Sequence, residues 1–170
     1  MIRRFLIPMA VIALLVLLGV GLLRPRDGAD PIVGQIAPDF KLRNLDGGTM
    51  TLSQFRGRPV IINFFASWCL PCRDEAPMLR QAAIDYAARN VLILGIAYSD
   101  KEADTRKFRD EFQLGFPVLM DDNESRAAIA YGLAGVPETY FVSRDGRILI
   151  RHKGPVEAKD LGAGLKAILE

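Results

Sequence analysis

Residues Val60–Phe65, VIINFF, form a run with one polar member, and Cys69-Leu70-Pro71-Cys72 follows within a few residues. A short run of this composition reads as a strand buried on both faces. From Cys72 to Ala88 the apolar residues Ala76, Leu79, Ala83 and Tyr86 recur at helical spacing. The cysteine pair therefore falls at a strand-to-helix turn, with Cys69 at or just before the helix N-terminus. Pro77 lies inside this helix and is expected to kink it.

These are the only two cysteines in 170 residues. A disulfide between such close residues closes almost no chain, so it would restrain the unfolded state little. A zinc site needs two further ligands, and the sole histidine, His152, lies far downstream. Neither a metal nor an organic cofactor is expected, because a cysteine pair carries electrons itself. Position favours that chemistry. A helix N-terminus carries about half a positive charge and unpaired N–H groups, and both stabilise a thiolate at Cys69. The thiolate is the nucleophilic form. Cys72, one turn in, should be the less exposed sulfur. Cys69 is thus expected to attack a partner disulfide, and Cys72 to resolve the mixed disulfide. Pro71 stiffens the turn between them.

The rest of the chain reads as one domain with an N-terminal extension. Residues 5–23 hold no charge and are preceded by Arg3 and Arg4. That length is close to the minimum for a membrane span, and it favours an uncleaved anchor at 1–23 over a cleaved signal peptide. The basic start argues for a cytoplasmic N-terminus and an extracytoplasmic domain. Residues 24–38, rich in Pro and Gly, read as a linker, and 39–170 as the domain. The net charge of +2 resides in Arg3 and Arg4, so the remainder is balanced and gives no electrostatic case for nucleic acid.

Two alternating runs around Asp46-Gly47-Gly48 signal a hairpin. Strands are expected at 91–97, 116–120, 139–142 and 147–152, and helices at 101–113, 123–131 and 157–169. Strands alternating with helices, closed by a hairpin, indicate an α/β fold with a mixed sheet.

Phe64-Phe65-Ala66-Ser67-Trp68-Cys69-Leu70-Pro71-Cys72 after a buried strand resembles the thioredoxin superfamily. Gly135-Val136-Pro137-Glu138-Thr139 resembles its cis-proline loop, and Pro77 its helix-kinking proline. The extra helix and strand at 101–120, the N-terminal β-hairpin and the apolar start resemble the TlpA/ResA/DsbE (CcmG) group. The likeness covers about residues 34–170. It implies a thioredoxin-like fold: a mixed central sheet flanked by helices, a central helix–strand insertion, and a preceding transmembrane helix. It further implies that Pro137 is cis and faces the disulfide. The Val136 backbone would pair with an extended substrate, and Trp68 would shield the pair and shape the docking surface. Glu75, three residues after Cys72, would exchange a proton with it or restrict thiolate formation to a docked state. Glu138 would help make the active surface acidic. One position departs from thioredoxin: Asn63 stands where a buried Asp lies six residues before the first cysteine. Asn cannot act as a base, so Glu75 is the candidate, and a selective reductant is expected.

The function so implied is a single-pass, membrane-anchored, extracytoplasmic thiol–disulfide oxidoreductase reducing apocytochrome c during cytochrome c biogenesis. Its electrons would come from a membrane thiol donor of the CcdA or DsbD type. Three other readings remain open at this point: a broader extracytoplasmic reductase or oxidant, a peroxiredoxin, and a non-enzymatic, membrane-tethered module that binds an apoprotein. "IAPDFKL" at 36–42 resembles the start of the peroxiredoxins, yet their Pro-x-x-x-Thr/Ser-x-x-Cys motif is absent around Cys69.

Overall fold

The computed structural model describes residues 13–17 and 30–170. The anchor expected at 1–23 lies outside the described residues except for 13–17, which are helical. Among the described residues no helix is long and apolar enough to cross a membrane.

Residues 31–170 form one compact unit built on a seven-stranded sheet. Its strands are β1 (Lys41–Asn44), β2 (Thr49–Thr51), β3 (Val60–Phe65), β4 (Leu92–Ala97), β5 (Val118–Met120), β6 (Glu138–Val142) and β7 (Ile148–Lys153). The helices are α1 (Leu70–Asp85), α2 (Glu102–Phe112), α3 (Arg126–Ala130) and α4 (Ala158–Leu169). The strand order is β2-β1-β5-β4-β3-β6-β7. β3, β4 and β5 are parallel, as crossover connections through α1 and α2 require, and the flanking pairs are antiparallel.

The central strands β3, β4 and β6 are buried at every position. Two apolar layers account for this. Ile61, Phe65, Ile93 and Phe141 pack with α1, α2 and α4 on one face. Ile62, Phe64, Leu94 and Tyr140 pack with Tyr131 and the N-terminal segment on the other. Gly47 and Gly48 take positive φ in the β1–β2 turn, which supplies the hairpin geometry.

The Pro- and Gly-rich stretch read as linker differs from that reading over 31–38. Gly34 N–H donates to Ile148 O, Ala37 N–H to Gly146 O, and the Tyr131 hydroxyl to Pro38 O. These bonds place 31–38 on the β7 side of the sheet, so the folded unit starts at Pro31. Composition misleads here because it does not show which backbone groups find partners.

Gly164 tests the packing of α4. A Cβ there would come within 2.2 Å of the buried Phe141 ring. Gly164→Ala is expected to lower stability by about 1–3 kcal/mol, although Ala is the better helix former. A lower urea midpoint at unchanged slope would show it; an unchanged or raised midpoint would contradict this packing.

Candidate active site

β3 delivers the chain to the site and α1 begins there. Cys69 is the N-cap of α1, with extended φ and ψ. Its Sγ accepts the Cys72 N–H at 3.2 Å, one of the N–H groups that a helix start leaves without an internal partner. Pro71 occupies the first turn, where its missing N–H costs nothing. A thiolate at Cys69 would receive the same N–H, strengthened by charge. Pro77 lies inside α1, as expected.

Cys69 and Cys72 are joined as a disulfide, so the structure shows the oxidised form. Cys69 is 4 % exposed and Cys72 1 %. The near burial of both means that a partner must dock closely before exchange.

Trp68 is 60 % exposed, so it is a surface residue and not core packing. A clasp from the end of β4 holds the turn. Asp100 accepts from the Ser67 N–H at 2.7 Å and from the Ser67 hydroxyl at 2.8 Å. The Trp68 Nε1–H donates to Ser99 O at 3.2 Å. Asp100 escaped the sequence reading, although an acid just before a predicted helix is a recognisable capping signal.

Glu75 is buried on α1, one turn beyond Cys72. Its Oε1 accepts from Asn63 Nδ2 at 2.8 Å, and its Oε2 from the Val156 N–H at 2.7 Å. Asn63 also donates to Thr139 Oγ1 at 3.0 Å. Asn63 and Cys72 line the same small cavity with Phe65, Ala76 and Phe108. The carboxyl is tied directly to strand β3 and to the loop before α4, and through Asn63 to β6. Burial pushes the Glu75 carboxyl up to about 6 from its ordinary 4.5. The Val156 N–H, the Asn63 amide and the charge of His152 oppose that rise.

A raised folded value favours the protonated acid, so the associated stabilisation is complete below about pH 4.5 and is lost as pH rises through about 6. In the oxidised protein, Glu75→Gln should gain about 2 kcal/mol relative to the parent between about pH 4 and pH 7. Paired urea titrations measure this. A difference that does not change with pH would contradict a buried, titrating Glu75.

The Val136–Pro137 peptide is cis. β3 and β6 are antiparallel, with Phe64 opposite Glu138. The residue before β6 and the turn after β3 therefore lie at the same end of the sheet. Among the described residues nothing bonds to the Val136 N–H or C=O. Val136 packs against the core cluster that contains both cysteines.

Glu138 corrects an expectation. It is 2 % exposed, so it does not make the active surface acidic. β6 lies between β3 and β7 with both faces covered, so every one of its side chains points into packing. Glu138 is satisfied there by Arg151 Nη2 at 3.0 Å and by the Tyr140 hydroxyl at 2.7 Å.

Comparison with known proteins agrees with this geometry. The AhpC/TSA family profile matches residues 33–151. The chain belongs to the AhpC/TSA family. Within that thioredoxin-like family its relatives include thiol-disulfide oxidoreductases and thiol:disulfide interchange proteins. It is 31 % identical over 136 residues to the thiol-disulfide oxidoreductase ResA of Geobacillus thermodenitrificans, covering 80 % of this chain and 78 % of that one. It is 32 % identical over 136 residues to the thiol:disulfide interchange protein DsbE of Pseudomonas fluorescens biotype C, covering 79 % and 74 %. A crystal structure of a putative DsbE from Chlorobium tepidum superimposes with a TM-score of 0.75 at 31 % identity, over 81 % of this chain and 98 % of that one. The protein is a thiol–disulfide oxidoreductase of the ResA/CcmG/DsbE type, with Cys69 and Cys72 as its disulfide pair.

Proposed function

We propose that this oxidoreductase is anchored by residues 1–23, works outside the cytoplasm, and reduces the disulfide of apocytochrome c. The observation that carries the substrate reading is the unpaired Val136 peptide at the same sheet end as Cys69. It offers one N–H and one C=O to an extended chain, as in strand addition. An unfolded haem-binding segment is extended and carries closely spaced cysteines. Likeness to ResA and DsbE proteins supports the same choice. The apolar, basic-flanked start supports the location.

In the forward step the Cys69 thiolate attacks one sulfur of the substrate disulfide. The S–S bond breaks, and the departing sulfur takes a proton. Cys72 then loses its proton and attacks Cys69, which releases the second substrate thiol. The substrate gains two electrons and two protons, and the enzyme ends as the disulfide seen here. Glu75 is the acceptor for the Cys72 proton in this scheme; Asn63 cannot serve. A membrane dithiol of the CcdA or DsbD type then returns two electrons to the Cys69–Cys72 pair.

The test is Cys72→Ser expressed in the native host, with mass spectrometry of captured partners. The reading predicts an apocytochrome linked through Cys69. Capture of diverse exported proteins, with no haem-binding motif among them, would favour a broader reductase instead.

A further inference from the structure

Glu138 and Arg151 lie inside the domain, 2 % and 6 % exposed at the side chain, next to the loop that carries Val136. Arg151 stands opposite Tyr140 in the β6–β7 register, and Glu138 is its diagonal neighbour on the same face. Arg151 Nη2 donates to Glu138 Oε1 at 3.2 Å and Oε2 at 3.0 Å, and reaches Gly132 O at 2.5 Å. The Ala134 N–H donates to Glu138 Oε1 at 3.3 Å. The Tyr140 hydroxyl sits between Glu138 Oε2 and Tyr131 O, at 2.7 Å and 3.0 Å. Three buried side chains therefore grip three backbone groups of residues 131–134.

At the far end, Pro137 O accepts the Gly154 N–H at 2.9 Å. Gly135 and Val136 are held between these two fixed points. Space is open around Gly135, where an added Cβ would meet nothing within 4 Å. An edge held in one shape before binding loses less conformational freedom when a partner strand pairs with it.

We propose that Arg151, acting through Glu138, is a positioning residue that presents the Val136 peptide to protein disulfides. The proposal rests on the docking role given to Val136 above. It makes Arg151 a specificity determinant: the clamp serves extended partners that use the Val136 edge. A small disulfide needs only access to Cys69 and gains nothing from it. The pair lies behind the docking loop and has no part in electron transfer.

The experiment compares the reduced parent enzyme with Arg151→Gln and Arg151→Lys, at a temperature where circular dichroism shows all three folded. Lys keeps a charge against Glu138 but lacks the planar fork that also reaches Gly132. If Arg151→Gln does not fold, Arg151→Lys supplies the same readout. The substrates are an oxidised Cys-x-x-Cys-His peptide, the same peptide N-methylated along its backbone, and 2-hydroxyethyl disulfide. The parent should reduce the plain peptide in preference to the methylated one. In the variants, kcat/KM for the plain peptide should fall about tenfold, carried by KM, as expected for lost preorganisation. The rate with the small disulfide should stay within about twofold of the parent, because chemistry at Cys69 is untouched. Equal losses for peptide and small disulfide, or no loss for either, would overturn the proposal. A parent that does not distinguish the two peptides would overturn the docking reading itself, a separate and recognisable result.

Discussion

Replacing Cys69 with Ser should abolish disulfide reduction, lowering the rate by at least about three orders of magnitude, to the background of uncatalysed exchange. A hydroxyl at the N-cap of α1 keeps the helix cap and so keeps the fold. What it loses is a sulfur that ionises near neutrality and attacks S–S bonds. Cys72→Ser differs in kind: it should still attack, then stall as a mixed disulfide. The asymmetry comes from place. Cys69 caps the helix and receives the Cys72 N–H, whereas Cys72 lies inside the first turn at 1 % exposure. Insulin reduction and trapping with a disulfide-bonded peptide measure both. Activity retained by Cys69→Ser would favour a tethered binding module. Trapping through Cys72 would reverse the assigned roles.

The largest expected loss of stability comes from splitting the Glu138–Arg151 pair. Glu138→Ala leaves a guanidinium almost wholly out of water with its carboxylate removed. Removing one member of a buried pair costs about 3–5 kcal/mol, mostly as the penalty of the charge left behind. For a domain of this size that corresponds to a Tm lower by roughly 10–20 °C. Glu138→Leu combined with Arg151→Met removes both charges and should recover most of the loss, because a buried ion pair often gains little over apolar packing. The melting temperatures of single and double variants form a cycle that isolates the coupling. Additive losses would show that the two side chains do not act as a pair. Recovered stability with peptide reduction still impaired is the combination expected if the clamp serves docking.

Much of the fold was legible because local chemistry and tertiary need agree. Asp46-Gly47-Gly48 supplies a hairpin turn, and β1 and β2 form around it. VIINFF is apolar enough for a strand covered on both faces, and β3 is buried at every position. The cysteine spacing placed Cys69 at a helix start, and the thioredoxin likeness gave the cis form of Pro137, as observed.

The site was less legible where it depends on partners distant in the chain. Glu75 takes one hydrogen bond from Val156, 81 positions away. Asn63 cannot take a proton, and its work as a donor to both Glu75 and Thr139 appears only once β3 and β6 are side by side. Glu138 was misplaced for a related reason. In a strand covered on both faces, alternation no longer separates outward from inward residues. An acid beside the docking loop then reads as surface charge until Arg151 is found against it.

The most direct test of the account concerns the reactivity of the two sulfurs in the reduced protein. Iodoacetamide labelling across about pH 5 to 9, with each site mapped by mass spectrometry, reads the thiolate fraction and access together. Cys69 should react first, and near neutrality faster than a cysteine in an unstructured peptide, while Cys72 stays protected. If both thiols prove inert near neutrality, or if Cys72 reacts before Cys69, the helix N-terminus does not activate the attacking sulfur and the mechanism set out here is wrong.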